Sequence, residues 1–171
     1  MYQLIALRCC HKLIVYTLAL GLGLRTKELQ FSELRNLDTK DWTIYVDRVK
    51  GEGTYGQART VPIRQEWRDL MSRYLEAREK RDLRGNPYLF PTDLNANGYL
   101  SQNSIRIGKQ LVEKETGTEF ELRACRRTYG QKAIDENLPP ESVSLLLGHN
   151  TTKTTESYYC RKRPDKAAKK H

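Results

Sequence analysis

Leu146-Leu-Gly-His149, followed nine residues later by Tyr158, stands downstream of Arg123-Ala-Cys-Arg126-Arg127. A phenol with an ordinary pKa of about 10 is a poor nucleophile at neutral pH, so a tyrosine placed with a histidine and clustered arginines reads as a site built to change that. Guanidinium groups present a planar fork of donors that matches phosphate oxygens. The combination points to attack by a phenolate on a phosphodiester, with nucleic acid as the substrate class. Residues three and four apart share a helix face, so Arg123 can converge with Arg126 or with Arg127 around an anion. Each signal also has an ordinary structural reading. Helical arginines reach to solvent along their stems, a histidine after a glycine cap can serve a helix end, and Tyr158 or Tyr159 can be a packing aromatic.

These residues need elements to hold them. Apolar residues over about 2–20 predict a helix punctuated by Gly21 and Gly23, and a second helix is expected from Arg25 or Thr26 to about Leu34, with Leu29, Leu34 and Leu37 facing the core. Asp38 to Asp41 reads as a polar turn. Trp42 to Val49, a glycine-rich loop over 50–56, and Ala58 to Ile63 form a hairpin signature. From Gln65 to Leu83, the residues Trp67, Leu70, Met71, Tyr74 and Leu75 keep helical spacing and predict a core-facing stripe. Gly85 to Pro91 ends that helix and Asp93 to Gly98 forms a loop. Ser101 or Asn103 is placed to cap a helix over Ile105 to Lys114. Further helices are expected over Glu121 to Asn137, from Pro139-Pro140 to Leu147 with Gly148 as a left-handed cap, and in a last short segment bearing Tyr158. The pattern implies an α+β fold, mainly helical with a small antiparallel sheet, and no internal boundary divides it.

At 171 residues the chain suffices for one domain with a sizeable core. Its formal charge of +9 favours a polyanionic partner, since basic side chains on a phosphate backbone release condensed counterions. Cysteines at 9, 10, 125 and 160 form no CxxC pair, which argues against a zinc site or disulfide framework and for reduced thiols in a cytoplasm. The longest apolar run, Leu13 to Leu24, is too short to span a bilayer and is broken by glycine. It continues into Arg25-Thr-Lys-Glu28 without a small-residue cleavage site, which weighs against an export signal.

Read together, Gly23-Leu-Arg25-Thr-Lys-Glu28-Leu, the glycine loop with Lys50, Arg123-Ala-Cys-Arg126-Arg-Thr-Tyr and Leu146-Leu-Gly-His149 with Tyr158 resemble the tyrosine recombinases, the phage-integrase and Xer-like site-specific recombinases. The resemblance covers about residues 13 to 160. It implies a catalytic domain over 1–160 with a three-stranded sheet, a basic tail over 161–171, and no counterpart of the amino-terminal DNA-clamping domain. It further implies cleavage and rejoining of double-stranded DNA through a 3′-phosphotyrosine, with no metal or other cofactor, no nucleotide and no membrane, and self-association on DNA.

Carried onto this chain, the resemblance makes Tyr158 the nucleophile and Arg25 and Arg126 the ligands of the non-bridging phosphate oxygens. Glu28 would orient Arg25, and His149 would hydrogen-bond the phosphate. Lys50, the only lysine between Asp41 and Arg68, would protonate the departing 5′ oxygen. Two departures stand out. Lys50 precedes Gly51-Glu-Gly53 where relatives often read Gly-Lys-Gly, and Arg123 stands where many have histidine. Guanidinium cannot accept a proton, so activation of Tyr158 would rest on positive field. The alternatives are a catalytically weak DNA-binding integrase fragment and a type IB topoisomerase-like DNA relaxer.

Overall fold

The computed structural model describes residues 21–47, 58–81, 83–92 and 96–159. The helix expected over 2–20, the hairpin loop with Lys50 and the basic tail lie outside the described residues.

Six α-helices and a three-stranded sheet make up the described part: α1 Thr26–Phe31, β1 Leu37–Asp38, β2 Thr43–Val46, β3 Arg59–Pro62, α2 Gln65–Glu79, α3 Gln102–Thr116, α4 Leu122–Asp135, α5 Pro140–Leu147 and α6 Thr152–Tyr159. This is the mainly helical α+β architecture expected. The strands run antiparallel in the order β1-β2-β3, with Ile44 opposite Val61 and Val46 opposite Arg59. On β3 the alternation turns Arg59 and Val61 inward and Thr60 and Pro62 outward. An arginine therefore occupies a core-facing strand position.

Leu22, Ile44, Val61, Ile63, Met71, Tyr74, Leu89, Phe90, Val143 and Leu147 are almost fully excluded from solvent and form the centre of the core. Met71 and Tyr74 of the α2 stripe lie in it, while Trp67, Leu70 and Leu75 pack against it half-buried. The Tyr74 hydroxyl donates to the carbonyl of Leu89, which ties α2 to the following loop. Ser101 caps α3 by accepting from the Ser104 N–H at 3.0 Å. Gly117 and Gly148 end α3 and α5 at φ +65° and +60°, in the left-handed region where a Cβ costs energy.

The second helix stops at Phe31, short of the expected Leu34. Ser32 is extended, and the carbonyl of Ser32 and N–H of Leu34 bond instead to Leu89 and Pro87 at 2.7 and 2.8 Å. Pairing with that loop takes the groups a further turn would need. Leu34 consequently falls out of phase and is 37% exposed, contrary to the core position expected for it. Among the described residues, β2 also starts later than its apolar run. Trp42 sits at φ +54° ahead of β2, and the strand runs only over Thr43–Val46.

Candidate active site

Glu28 lies in the first turn of α1, where its carboxylate accepts the Arg25 backbone N–H at 2.8 Å. A carboxylate at this point satisfies one of the donors that a helix start leaves open. The Arg25 guanidinium bonds the same carboxylate at 2.6 Å. Far from a surface ion pair, the Glu28 side chain is 1% exposed. Arg59 approaches from β3 and donates through Nη1 and Nη2 to Oε1 and Oε2 of Glu28, each at 3.0 Å. Burial raises the Glu28 pKa, but the Arg59 fork and then Arg25 outweigh it and hold the carboxyl down at about 2.

The C-terminal end of α5 organises the arginines. Past Gly148 the chain turns back, so that the N–H groups of Gly148 and His149 bond the carbonyls of Leu145 and Ser144, both at 2.9 Å. The next three carbonyls each accept from a different arginine. Leu146 O takes Arg59 Nε at 2.7 Å, Leu147 O takes Arg126 Nη2, and Gly148 O takes Arg25 Nη2 at 2.8 Å. Helix-end carbonyls need partners, and the negative end of the helix dipole favours cations. Leu-Leu-Gly-His is thus a backbone platform for guanidinium groups. Arg126 is also bound to Gly23 O at 3.0 Å. Gly23 sits at φ +65°, and a Cβ there would lie 2.6 Å from the Tyr129 ring. Burial first, and then the Arg25 charge, lower the Arg126 pKa to about 10, which leaves it protonated at neutral pH.

Arg25 and Arg126 face a cleft of about 590 Å³ that Arg123, Arg127, His149 and Tyr158 also line. Six Lys or Arg side chains border it against one carboxylate, Glu28, which is already engaged by Arg59 and Arg25. The cleft therefore carries uncompensated positive charge and suits an anion. Each guanidinium has five N–H donors, so the bonds to carbonyls and to Glu28 still leave donors of Arg25 and Arg126 for that anion.

His149 Nδ1 lies 2.9 Å from the hydroxyl of the fully buried Thr155 on α6, which fixes the ring and leaves Nε2 for the cleft. Burial, then the charges of Arg126, Arg25 and Arg59, press the His149 pKa down to about 4, so the imidazole is neutral at pH 7. The two adjacent tyrosines of α6 differ sharply. Tyr159 is buried against Gly130 and its pKa is raised by burial, whereas Tyr158 is 65% exposed.

The structure thus brings Arg25, Glu28, Arg126, His149 and Tyr158 to one cleft. Arg123 stands exposed at its edge, as does Arg127. Lys50 falls outside the described residues. Arg59 escaped the sequence reading, although a signal was present: it has the same strand parity as the core residues Val61 and Ile63. Among the described residues, no three His, Cys, Asp or Glu side chains are grouped as metal ligands would be, and no helix is long and apolar enough to cross a membrane.

Comparison with known proteins places this architecture. Residues 4–165 match the phage integrase family, and the chain belongs to that family. It is 24% identical over 173 residues to a XerC-like tyrosine recombinase of Caldanaerobacter subterraneus, covering 85% of this chain and 44% of that protein. It is 27% identical over 141 residues to tyrosine recombinase XerC of Thermodesulfovibrio yellowstonii, covering 80% and 45%. The chain thus spans less than half the length of these relatives. Among solved structures, XerA recombinase superposes with a TM-score of 0.72 at 20% identity, covering 92% of this chain and 58% of that one. XerH bound to its difH substrate before cleavage superposes with 0.64 at 19%, covering 92% and 44%. These likenesses speak for the fold.

Proposed function

We propose that this chain is the catalytic domain of a site-specific DNA recombinase, which cuts and rejoins DNA strands through a covalent tyrosine link. The observation that carries the reading is the juxtaposition of two helix-anchored arginines, Arg25 and Arg126, with an exposed Tyr158 on one positively charged cleft. Membership of the phage integrase family supports it. So does a structural neighbour, the Tn1549 transposon integrase, whose structure holds it in complex with transposon right-end DNA.

In this reading Arg25 and Arg126 hold the non-bridging oxygens of the scissile phosphate. Donors already aimed at those oxygens stabilise the charge that shifts in the transition state. Neutral His149 adds a hydrogen bond from Nε2. The Tyr158 oxygen attacks phosphorus, the bond to the 5′ oxygen breaks, and a 3′-phosphotyrosine forms. Lys50 supplies the proton to the departing 5′ oxygen. A 5′ hydroxyl then reverses the steps on the same or another strand, so bond energy is retained in the covalent intermediate. Arg123 contributes positive field and contacts the backbone phosphate. Duplex DNA is the partner, and copies of the chain assemble on it in the cytoplasm.

The test is incubation with a nicked duplex whose short cleaved fragment diffuses away and traps the adduct. A protein–DNA band is expected for the wild type and for Tyr159→Phe and is absent for Tyr158→Phe. A chain that binds the duplex yet yields no band at any pH would instead be a DNA-binding fragment.

A further inference from the structure

Arg59 makes no part of the cleft wall, yet it has the most completely satisfied guanidinium around Glu28. Its side chain is 6% exposed, and its three bonds join β3, α1 and the end of α5. We infer that Arg59 is a positioning residue for strand cleavage: its fork fixes the Glu28 carboxylate, and Glu28 in turn sets Arg25 and Arg126 for the phosphate. The inference rests on the proposed strand-cleaving activity.

The geometry assigns this division of labour. Glu28 offers two oxygens, and Arg59 takes one bond from each in a bidentate fork, which fixes the plane of the carboxylate. The same two oxygens then receive the backbone N–H and Nη1 of Arg25, and Arg126 Nη1 stands 3.9 Å from Oε2. Without Arg59, a nearly fully buried carboxylate loses its bidentate partner and that partner's charge, and takes up a proton more readily. A neutral Glu28 no longer screens Arg25 from Arg126, and the two guanidinium groups are free to splay apart. Stability alone does not demand this arrangement, because a buried ion pair is often replaceable by apolar residues.

The charged and titratable groups facing Glu28 are Arg25, Arg59, Arg126 and His149. In the wild type Glu28 stays ionised well below neutral pH, so the ratio of variant to wild-type cleavage isolates its titration. Arg59→Met is expected to cleave the nicked duplex at least tenfold more slowly at pH 6, with the ratio recovering as pH rises. Arg59→Lys, which keeps the charge and loses the fork, is expected to fall between the two. In a Glu28→Gln background, Arg59→Met is expected to add little further loss and no pH dependence, since it acts through the same carboxylate.

A folded Arg59→Met with wild-type rate and a pH-independent ratio would overturn the inference. So would losses that multiply in the double variant. If Arg59→Met does not fold, Arg59→Lys with and without Glu28→Gln gives the same comparison. If the wild type binds duplex but forms no adduct, the cleavage reading fails by itself. Positioning is then read from duplex affinity, where weakening by Arg59→Lys that disappears in Glu28→Gln upholds it and an unchanged affinity overturns it.

Discussion

Arg126 and Tyr158 line the same cleft but are held in opposite ways. Arg126 is half-buried, anchored on the carbonyls of Gly23 and Leu147, and belongs to a set of three guanidinium groups seated on consecutive carbonyls of one helix end. Tyr158 sits on a short helix, 65% exposed. In the proposed reaction the difference separates two tasks. Donors that stabilise a transition state must not reorganise as charge moves, so they are fixed to backbone. A nucleophile that becomes bonded to a large substrate must be reachable from outside. A change at Tyr158 should therefore cost activity alone, and a change at Arg126 both activity and stability.

Tyr158→Phe should break the comparison furthest on the activity side. It removes the attacking oxygen and abolishes the covalent adduct, while thermal unfolding stays within about 0.5 kcal/mol of wild type because the side chain is mostly exposed. Arg126→Ala should lower the single-turnover cleavage rate by about a hundredfold or more. Unlike the tyrosine variant, it should also destabilise, by about 1–3 kcal/mol, since the carbonyls of Gly23 and Leu147 lose a donor; denaturant unfolding reads this. Gly148→Ala touches no substrate but forces a side chain into φ +60° with its Cβ 2.7 Å from Arg59 Nη1. The backbone term alone is about 1–2 kcal/mol, and calorimetry should show a fall in Tm of roughly 2–8 °C. Cleavage should fall with it as the carbonyl platform shifts.

A further effect concerns pH. His149 is neutral in the fold down to about 4, against an ordinary value of 6.5. Below pH 6.5 the unfolded chain binds a proton that the folded chain refuses, so this contribution to stability is present above 6.5 and lost as pH falls toward 4. Unfolding measured between pH 7 and 4.5 should decline less steeply in His149→Gln than in the wild type.

Much of the cleft was readable because its short motifs together resemble those of a known family, and local signals support their setting. Glu28 three residues past the N-cap Arg25 closes a capping box, the glycine cap sets the chain reversal before His149, and the apolar stripe of α2 announces its buried face. Three features depend on geometry that no local pattern holds. The first strand, Leu37–Asp38, is two residues long and has no period to detect. Leu34 lost its helical phase because a distant loop captured the backbone groups at Ser32 and Leu34. Arg59 shares the inward parity of Val61 and Ile63, but only the register opposite Val46 and the fold around it show that it points at Glu28. The carbonyl platform lies deeper still, since it is made of backbone atoms whose side chains, Leu146 and Leu147, advertise only a helix packing on a core.

Mass spectrometry of the trapped adduct after proteolysis tests the central claim most directly. A fixed arginine site serving an exposed nucleophile predicts the nucleotide mass on the hydroxyl of Tyr158. The same mass on Tyr159, the buried neighbour packed on Gly130, would contradict it.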